Sequence, residues 1–294
     1  MNIKTSVSER IIHAFIISSL IVFCLLVLYP LINVLSSSFS SPSLIMKGEI
    51  YLLPKGLTVI GYKKIFANPD IWSSYINTIA YTVIGTAINI FMTAIGAYPL
   101  SRKDFHWCKL WMIMVTFTMF FSGGMIPTYL LIKQLNLYNT FWVMVIPGAV
   151  STWQLIIMRT FFRNGVPGEI QEAAIIDGCN DLQIFGRIVI PLSAPIIAVL
   201  VLFYGVGHWN AYFNAMIYLQ DKKLYPLQLI LRDILVENQL SSDMSDGLLT
   251  AEQQMIGESI KYALIIVATV PILMVYPFIQ KYFTKGILIG AIKG

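Results

Sequence analysis

Six long apolar runs separated by polar connections dominate the chain. They cover residues 11–35, 73–100, 110–132, 134–158, 192–219 and 259–280. A helix needs about 20 predominantly apolar residues to cross the hydrocarbon core of a bilayer, and each run reaches that length. The pattern therefore predicts an all-α integral membrane protein with six transmembrane helices, in a single domain over residues 1–294.

The first run has a second interpretation, because an apolar segment near an N-terminus can be a cleaved signal peptide. Ser36, Ser37 and Ser38 would offer small residues for cleavage. The apolar region of a signal peptide has about 7–15 residues, however, and the run 11–35 is longer. We therefore interpret it as the first membrane span.

The composition agrees with a chain that lies almost entirely in the membrane. Hydrophobic residues make up 57% of it and charged residues 12%, against about 25% charged residues in soluble domains. The mean hydropathy is +0.72. The net charge of +5 does not require a nucleic-acid partner. Basic residues at span ends follow from the positive-inside bias and from attraction to anionic lipid.

The positions of the basic residues orient the six spans. An even number of spans puts both termini on one side, and that side would carry eleven of the 20 Lys and Arg residues. Many of these stand next to span ends, as Arg102, Lys103, Lys109, Arg159 and Arg163 do. The others lie mostly in two long connections that also contain acidic residues. We therefore expect both termini, and the connection 167–191, to be cytoplasmic.

Catalytic and metal-binding motifs are missing from the sequence. Cys24, Cys108 and Cys179 are scattered, as are the three histidines, so neither a disulfide framework nor a metal site is indicated. No GxxxxGK(S/T) loop is present to cradle a nucleotide phosphate, and no GxSxG or HExxH motif occurs. We expect the chain not to be an enzyme and to bind no cofactor itself.

One polar stretch, residues 167–191, separates the fourth and fifth runs. Pro167 suits a helix start, and two glutamates follow it in the first turn, where negative charge complements the helix dipole. Gly178 supplies the backbone freedom for a turn, and Asn180 or Asp181 can cap a second helix. The pattern predicts two short helices joined by a turn. Such a pair either inserts into a groove on a partner or lies on the bilayer surface.

The same stretch resembles the EAA loop of permease subunits in binding-protein-dependent ABC importers. The family pattern is Glu-Ala-Ala, three residues, Gly, nine residues, and Ile-x-Leu-Pro. Here Glu172-Ala173-Ala174 is followed at the same spacing by Gly178 and then by Ile188-Val189-Ile190-Pro191. The one departure is Ile190 in place of Leu.

Three further segments resemble the carbohydrate-importer branch of that family. His208-Trp209-Asn210-Ala211-Tyr212-Phe213, with Tyr225-Pro226-Leu227 after it, is similar to the Trp-Asn-x-(Tyr/Phe)-Phe segment and the following Pro-Leu. The segment 136–140 is similar to Gly-Leu-x-Asn-Thr, with Asn136 in place of Gly, and residues 285–294 are similar to the KG…GAxKG tail. The resemblance runs from about residue 10 to the last residue. It is to the maltose-type permeases, and closest to the branch with oligosaccharide or uronide substrates.

The resemblance implies a permease subunit of an ATP-driven sugar importer in the bacterial inner membrane. Such a subunit forms half of the pathway for a sugar or oligosaccharide that a solute-binding protein delivers from outside. It implies a second related permease, so a heterodimer, surrounded by membrane lipid. It also implies two copies of a cytoplasmic ABC ATPase, which would bind ATP and Mg.

The resemblance also implies roles for residues of the 167–191 loop. The loop would dock into a cleft on the ATPase, and the implied ATPase-coupling residues are Glu172, Ala173, Ala174, Asp177, Gly178, Ile188 and Pro191. Glutamate would make polar contacts, the two alanines would permit close approach, and glycine would form the bend. The isoleucine and the proline would fix the loop against the membrane bundle.

A sugar pathway needs hydrogen-bonding and stacking groups beside a cavity. Aromatic residues with amides next to them suit sugar rings, and six residues fit that description: Trp153, Gln154, Trp209, Asn210, Tyr212 and Asn214. The alternative is that Trp and Tyr favour membrane interfaces and that span Asn residues bond across helices. The acidic stretch 233–258 would either contact the binding protein or be a plain solvated loop.

Two other functional classes remain at this point. A stand-alone secondary transporter or channel would carry ionisable residues within its spans as coupling sites, and the six runs have essentially none. A membrane enzyme acting on lipid or glycan would carry His, Asp and Glu clusters at one interface. The only acidic cluster beside a span is the EAA-like stretch.

Overall fold

The computed structural model describes residues 7–244 and 251–291, and this described part contains helices and turns without a β-strand. The all-α prediction is therefore confirmed. The chain forms two compact units, one of Met1–Pro69 with Asp233–Val270 and the other of Asp70–Arg232 with Pro271–Gly294. The very ends of the chain, whose cytoplasmic placement the sequence predicts, lie outside the described residues. So do residues 245–250 of the acidic stretch.

The first unit begins with the long helix α1, Val7–Ser38, followed by α2, Pro42–Met46, and α3, Ile60–Phe66. The connection between α2 and α3 is tied to the end of α1, because Ser36 Oγ donates to the Leu52 carbonyl at 2.6 Å. Gly61 lies against the backbone of Ser259, and a Cβ atom there would be 2.7 Å from the Ser259 carbonyl oxygen. The close approach in this unit therefore requires glycine.

Within its described residues, the second unit contains nine further helices. They are α4 Pro69–Ser101, α5 Cys108–Phe120, α6 Met125–Gln134, α7 Thr152–Gly165, α8 Gly168–Ile176, α9 Asp181–Ile184, α10 Ile190–Leu192, α11 Ala194–Trp209 and α12 Phe213–Tyr218. Two last helices, α13 Leu227–Met244 and α14 Ala251–Ala291, each contribute residues to both units.

Three helical segments are long and apolar enough to cross a membrane: Ser8–Ser38, Pro69–Ser101 and Met255–Pro277. They correspond to the first, second and sixth apolar runs. The third and fifth runs belong to bent pairs, α5 with α6 at 111° and Asp181–Leu192 with α11 at 78°. The described residues thus supply three candidate spans, or up to five if each bent pair is one span. The break in the third run covers residues 121–124 and includes Gly123-Gly124.

The fourth apolar run, 134–158, is interrupted in the structure and is not one continuous helix. A short 3₁₀ turn at Phe141–Met144 is followed by irregular backbone, and α7 then runs past the predicted end of the span. The interruption contains Pro147-Gly148, which frees backbone carbonyls from helical hydrogen bonding.

Buried side chains satisfy the freed backbone groups. Asn89 on α4 is fully buried, and its Nδ2 donates to the carbonyls of Gly148 and Ala149 at 2.7 and 2.9 Å. Its Oδ1 lies 2.7 Å from His208 Nε2 on α11. Tyr204 Oη accepts from the Ser151 N–H at 3.2 Å. Irregular backbone in apolar surroundings is tolerated where such partners exist.

Two apolar clusters form the core of the second unit. One joins α4, α7 and α11 to the helices of the 167–191 stretch through residues such as Ala97, Phe162 and Leu200. The other packs Tyr81 of α4 against Val143 and Ala215 near the 3₁₀ turn and α12. The first cluster therefore builds the polar stretch into the helical core.

We expect Asn89→Leu to destabilise the protein, because it removes the buried amide that donates to the carbonyls of Gly148 and Ala149 in an apolar part of the chain. Each unsatisfied group costs about 1–3 kcal/mol. The measurement is the thermal unfolding midpoint of the purified protein in mild detergent. Asn214→Leu, on an exposed position, is the matched control and should leave the midpoint unchanged. Equal midpoints for both variants would contradict the role given to Asn89.

Candidate functional site

The 167–191 stretch folds as two short helices with a turn between them, as the sequence predicts. Helix α8 starts directly after Pro167 and ends at Ile176. Gly178 has a φ of +81°, in the left-handed region that favours glycine, so the chain reverses there at little steric cost. Asn180, one of the two predicted caps, begins α9.

A capping box fixes the start of α9. Asn180 Oδ1 accepts from the Gln183 N–H at 2.9 Å, and Gln183 Oε1 accepts from the Asn180 N–H at 3.0 Å. A π-helical turn over Phe185–Val189 and the one-turn helix α10 follow, and α11 starts at Ala194. Pro191 thus stands just before the next apolar helix. A π-helical turn is rare, and such turns are frequent at functional sites.

Packing divides the implied coupling residues into an inner and an outer group. Ala174 is only 6% exposed and lies in the core cluster with Ile184 and Val189, while Ile188 packs partly against it. The outer group is exposed and comprises Glu172, Ala173, Asp177, Gly178 and Pro191. The loop is therefore attached to the bundle through its inner group and presents its outer group to the surroundings.

The structure adds detail to two of the implied roles. Ala173 is exposed, whereas the methyl group of Ala174 fills the core of its own chain. Pro191 is exposed, and the buried Ile184 and Val189 pack the loop against the bundle. The sequence motif carries no information about which face of α8 turns inward.

Exposed apolar side chains stand on both sides of the Gly178 turn. Ile176 at the end of α8 is 85% exposed, and Leu182 at the start of α9 is 81% exposed. Exposed carboxylates of Glu172 and Asp177 lie along the same short segment. An apolar tip rimmed by charge is typical of a protein-docking surface.

Arg102 joins the loop to the end of α4. Its guanidinium donates to Asp104, with Nε–Oδ1 and Nη2–Oδ2 distances of 3.0 and 2.8 Å. Nη1 donates to Gln171 Oε1 on α8 at 3.2 Å, and Nη2 lies 3.8 Å from Asp181 Oδ1 on α9. The hydrogen bonds to Asp104 raise the pKa of Arg102 and lower the pKa of Asp104. Sequence reasoning missed this role and counted Arg102 only as an orienting charge.

The six residues proposed for a sugar pathway occupy different environments. Trp153 and Gln154 lie in the first turn of α7, where the Gln154 side chain is hydrogen-bonded to Ser151. Trp209 is only 8% exposed and makes an edge contact with Tyr75, with ring centroids 6.3 Å apart. It is therefore packed within the chain in this conformation, and its place in a sugar pathway stays a prediction.

Asn210 and Tyr212 are exposed beside two polar residues that sequence reasoning missed. Gln228 Nε2 donates to Asn210 Oδ1 at 3.4 Å, and the Arg232 guanidinium carbon lies 6.0 Å from the centre of the Tyr212 ring. Both new residues come from α13, and Asn214 is exposed on the neighbouring α12. An aromatic ring, amides and a guanidinium together suit a sugar that bears a carboxylate.

No family model matches the chain. It is 42% identical over 290 residues to the polygalacturonan/rhamnogalacturonan transport system permease protein YtcP of Bacillus subtilis (strain 168). The match covers 97% of this chain and 99% of that relative. The crystal structure of a bacterial ABC transporter involved in the import of the acidic polysaccharide alginate includes a chain that is 32% identical to it. The TM-score of that match is 0.83, over 96% of this chain and 100% of that one.

A second solved structure shares the fold at lower identity. It is a bacterial alginate ABC transporter in complex with an alginate pentasaccharide-bound periplasmic protein. The matched chain is 15% identical, with a TM-score of 0.52 over 91% of this chain and 93% of that one.

We expect Arg102→Gln to loosen the loop without unfolding the bundle, because it removes the link from α4 to both α8 and α9. Amide hydrogens of residues 168–184 should exchange about tenfold faster, while those of α4 keep their rates. Hydrogen exchange with mass spectrometry on the detergent-purified protein provides the measurement. Lys103→Gln, which removes the neighbouring charge, should not change the exchange. Unchanged exchange in Arg102→Gln would show that packing alone holds the loop.

Proposed function

This chain belongs to the permease subunits of bacterial ABC sugar importers, and from that premise we propose that it forms half of the pathway through which an acidic oligosaccharide enters the cell. The observation that carries the proposal is the 42% identity, over almost the whole chain, to a permease named for polygalacturonan and rhamnogalacturonan. Both of those polymers contain galacturonic acid, and alginate is also acidic.

The proposed topology has six spans in the inner membrane, with both termini and the 167–191 loop cytoplasmic. Three helical segments and two bent pairs account for up to five spans. In this proposal the interrupted segment from Phe141 through α7 completes the set. The cytoplasmic placement of the loop is supported by Arg102, Lys103 and Arg163, which lie at the same end of the helices as the loop.

We assign the 167–191 loop to ATPase coupling within a single transmembrane domain. The exposed Ile176 and Leu182 tip, with Glu172 and Asp177 beside it, would enter a cleft on a cytoplasmic ABC ATPase that binds ATP and Mg. Because Ala174 is built into the core, a displacement of the docked tip would move the bundle with it. Rigid-body movement of this kind produces alternating access.

A complete importer needs further partners. The membrane-crossing part of α1 buries none of its residues within the chain, so its apolar surface is available to a second permease or to lipid. The family pattern favours a different, related permease, two ATPase copies and an external solute-binding protein. The alginate transporter that shares this fold was solved with a loaded periplasmic protein, which supports the last assignment.

The acidic substrate class has support from the exposed cluster around Arg232. A uronate carboxylate can pair with the guanidinium, and the Tyr212 ring beside it offers a face for the sugar. Asn210 and Gln228 supply amide groups for hydroxyl hydrogen bonds.

We expect Gly178→Pro and Leu182→Asp to uncouple the importer. Proline cannot adopt a φ near +81°, and an aspartate at the tip would be buried without a partner. Substrate-stimulated ATPase activity of the purified complex should fall at least tenfold in both. Glu169→Gln, on the same exposed helix but outside the implied coupling residues, should keep the wild-type stimulation. Normal transport by both uncoupling variants in proteoliposomes would refute the coupling assignment.

We expect Arg232→Gln to lower the response to acidic sugars selectively. A hydrogen bond to a charged group contributes about 1.5–3 kcal/mol, so the concentration of loaded binding protein or free galacturonate oligomer giving half-maximal ATPase stimulation should rise about tenfold or more. Arg232→Lys should retain part of the response, because it keeps the charge but loses the planar fork. An equal loss with a neutral oligosaccharide would count against the carboxylate contact.

A further inference from the structure

A cavity of about 740 Å³ opens beside α5 and α7, and none of the residues that line it belongs to the 167–191 loop. Five cationic side chains line it: Arg102, Lys103, Lys109, Arg159 and Arg163. They come from the turn after α4, from the first residues of α5 and from the second half of α7. None of the residues lining this described cavity is acidic. The nearest carboxylate partner of the group, Asp104, is already hydrogen-bonded to Arg102.

The other wall of the cavity is apolar. Phe117, Phe120 and Phe121 line it near the end of α5, and Thr116 is the one polar lining residue on that helix beyond Lys109. The α5 helix buries no residue within the chain. Its 13 residues extend over roughly 20 Å, comparable to one leaflet of a bilayer. Charge therefore stands at one end of the cavity and aromatic surface along the rest.

The Arg159 side chain is held in place by hydrogen bonds. Its Nε donates to the Leu100 carbonyl at 2.9 Å, and its Nη2 lies 3.8 Å from Cys108 Sγ. Cys108 Sγ in turn donates to the same carbonyl at 3.1 Å. One cation is thus held where α4, α5 and α7 meet, while Lys103, Lys109 and Arg163 stand exposed around it.

We propose that this cavity binds an anionic phospholipid, with its phosphate among the cationic side chains and its acyl chains along α5. A free anion would use the charged end alone. A sugar would need hydrogen-bonding groups along the wall, where phenylalanines stand instead. An amphiphile matches both halves, and basic residues at a span end lie at the level of lipid headgroups. That the leaflet is the cytoplasmic one rests on the topology proposed above; the binding itself does not.

One residue of the proposed lipid site, Arg102, also contacts the 167–191 loop. Arg102 lines the cavity and also contacts Gln171 and Asp181 of the two loop helices. A phosphate beside Arg102 would share that guanidinium with the loop. Anionic lipid therefore acts on the residue that orients the coupling helices.

Native mass spectrometry of the purified complex, delipidated and then titrated with phosphatidylglycerol or phosphatidylcholine, tests the proposal. The wild type should retain phosphatidylglycerol about tenfold better at equal concentration. Lys103→Gln/Lys109→Gln/Arg163→Gln should reduce that preference to less than twofold. The matched control, Lys133→Gln/Lys222→Gln/Lys223→Gln, removes three charges outside the cavity and should keep the preference. Equal retention of the two lipids by the wild type would overturn the proposal.

A second variant tests the apolar half. Phe117→Ser/Phe121→Ser keeps every charge and should also release phosphatidylglycerol, whereas millimolar glycerol phosphate should not displace it from the wild type. Displacement by glycerol phosphate would identify a simple anion site, and displacement by galacturonate oligomer would identify a sugar passage. Loss of the second permease from the triple variant, with lipid retention unchanged, would identify a subunit interface. Each of these results would refute lipid binding.

Retention of the ATPase subunit is recorded in the same spectra. A variant that loses phosphatidylglycerol but keeps the ATPase supports the lipid site and leaves the coupling assignment standing. Failure of the wild type to retain any ATPase would count against the coupling assignment without affecting the lipid result.

Discussion

The second unit depends on one hydrogen-bonding constraint: backbone carbonyls exposed by a helix break in apolar surroundings must find donors within the protein. Asn89 meets it by donating to two successive carbonyls after Pro147. Because the unwound segment is held there, α7 starts at Thr152 and places Met158 and Phe162 in the core beside Ala174. The position of the 167–191 loop therefore depends on an amide buried on another helix.

Packing and the Arg102 link make different contributions to the loop. Burying Ile184 or Val189 contributes about 1.5–3 kcal/mol each, whereas exposed ion pairs contribute about 0–1 kcal/mol. The core therefore keeps the loop attached to the bundle. The ion pair and hydrogen bonds of Arg102 help to orient the two loop helices, because one side chain contacts both α8 and α9. In the proposed coupling role, a loop held in this way would move with the bundle.

Local signals and long-range contacts account for what the sequence did and did not predict. Gly178 and Asn180 act within a few residues of themselves, so the helix–turn–helix form of the loop was predictable. The run 134–158 has the composition of a span, but composition does not register that Asn89 can stabilise an interruption. The inward face of Ala174, the burial of Trp209 against Tyr75 and the pairing of Tyr212 with Arg232 all depend on contacts between separate helices. None of them has a local pattern.

The buried polar groups of the bundle stabilise its fold, which limits the groups that could contact a sugar. Asn89, Tyr204 and His208 are hydrogen-bonded to one another's helices and to the unwound backbone, so they hold this fold together rather than a ligand. Among the six residues proposed for a sugar pathway, Asn210, Tyr212 and Asn214 are exposed near Arg232. In the proposed pathway an oligosaccharide would meet this subunit at that cluster, and the proposed second permease would supply further contacts.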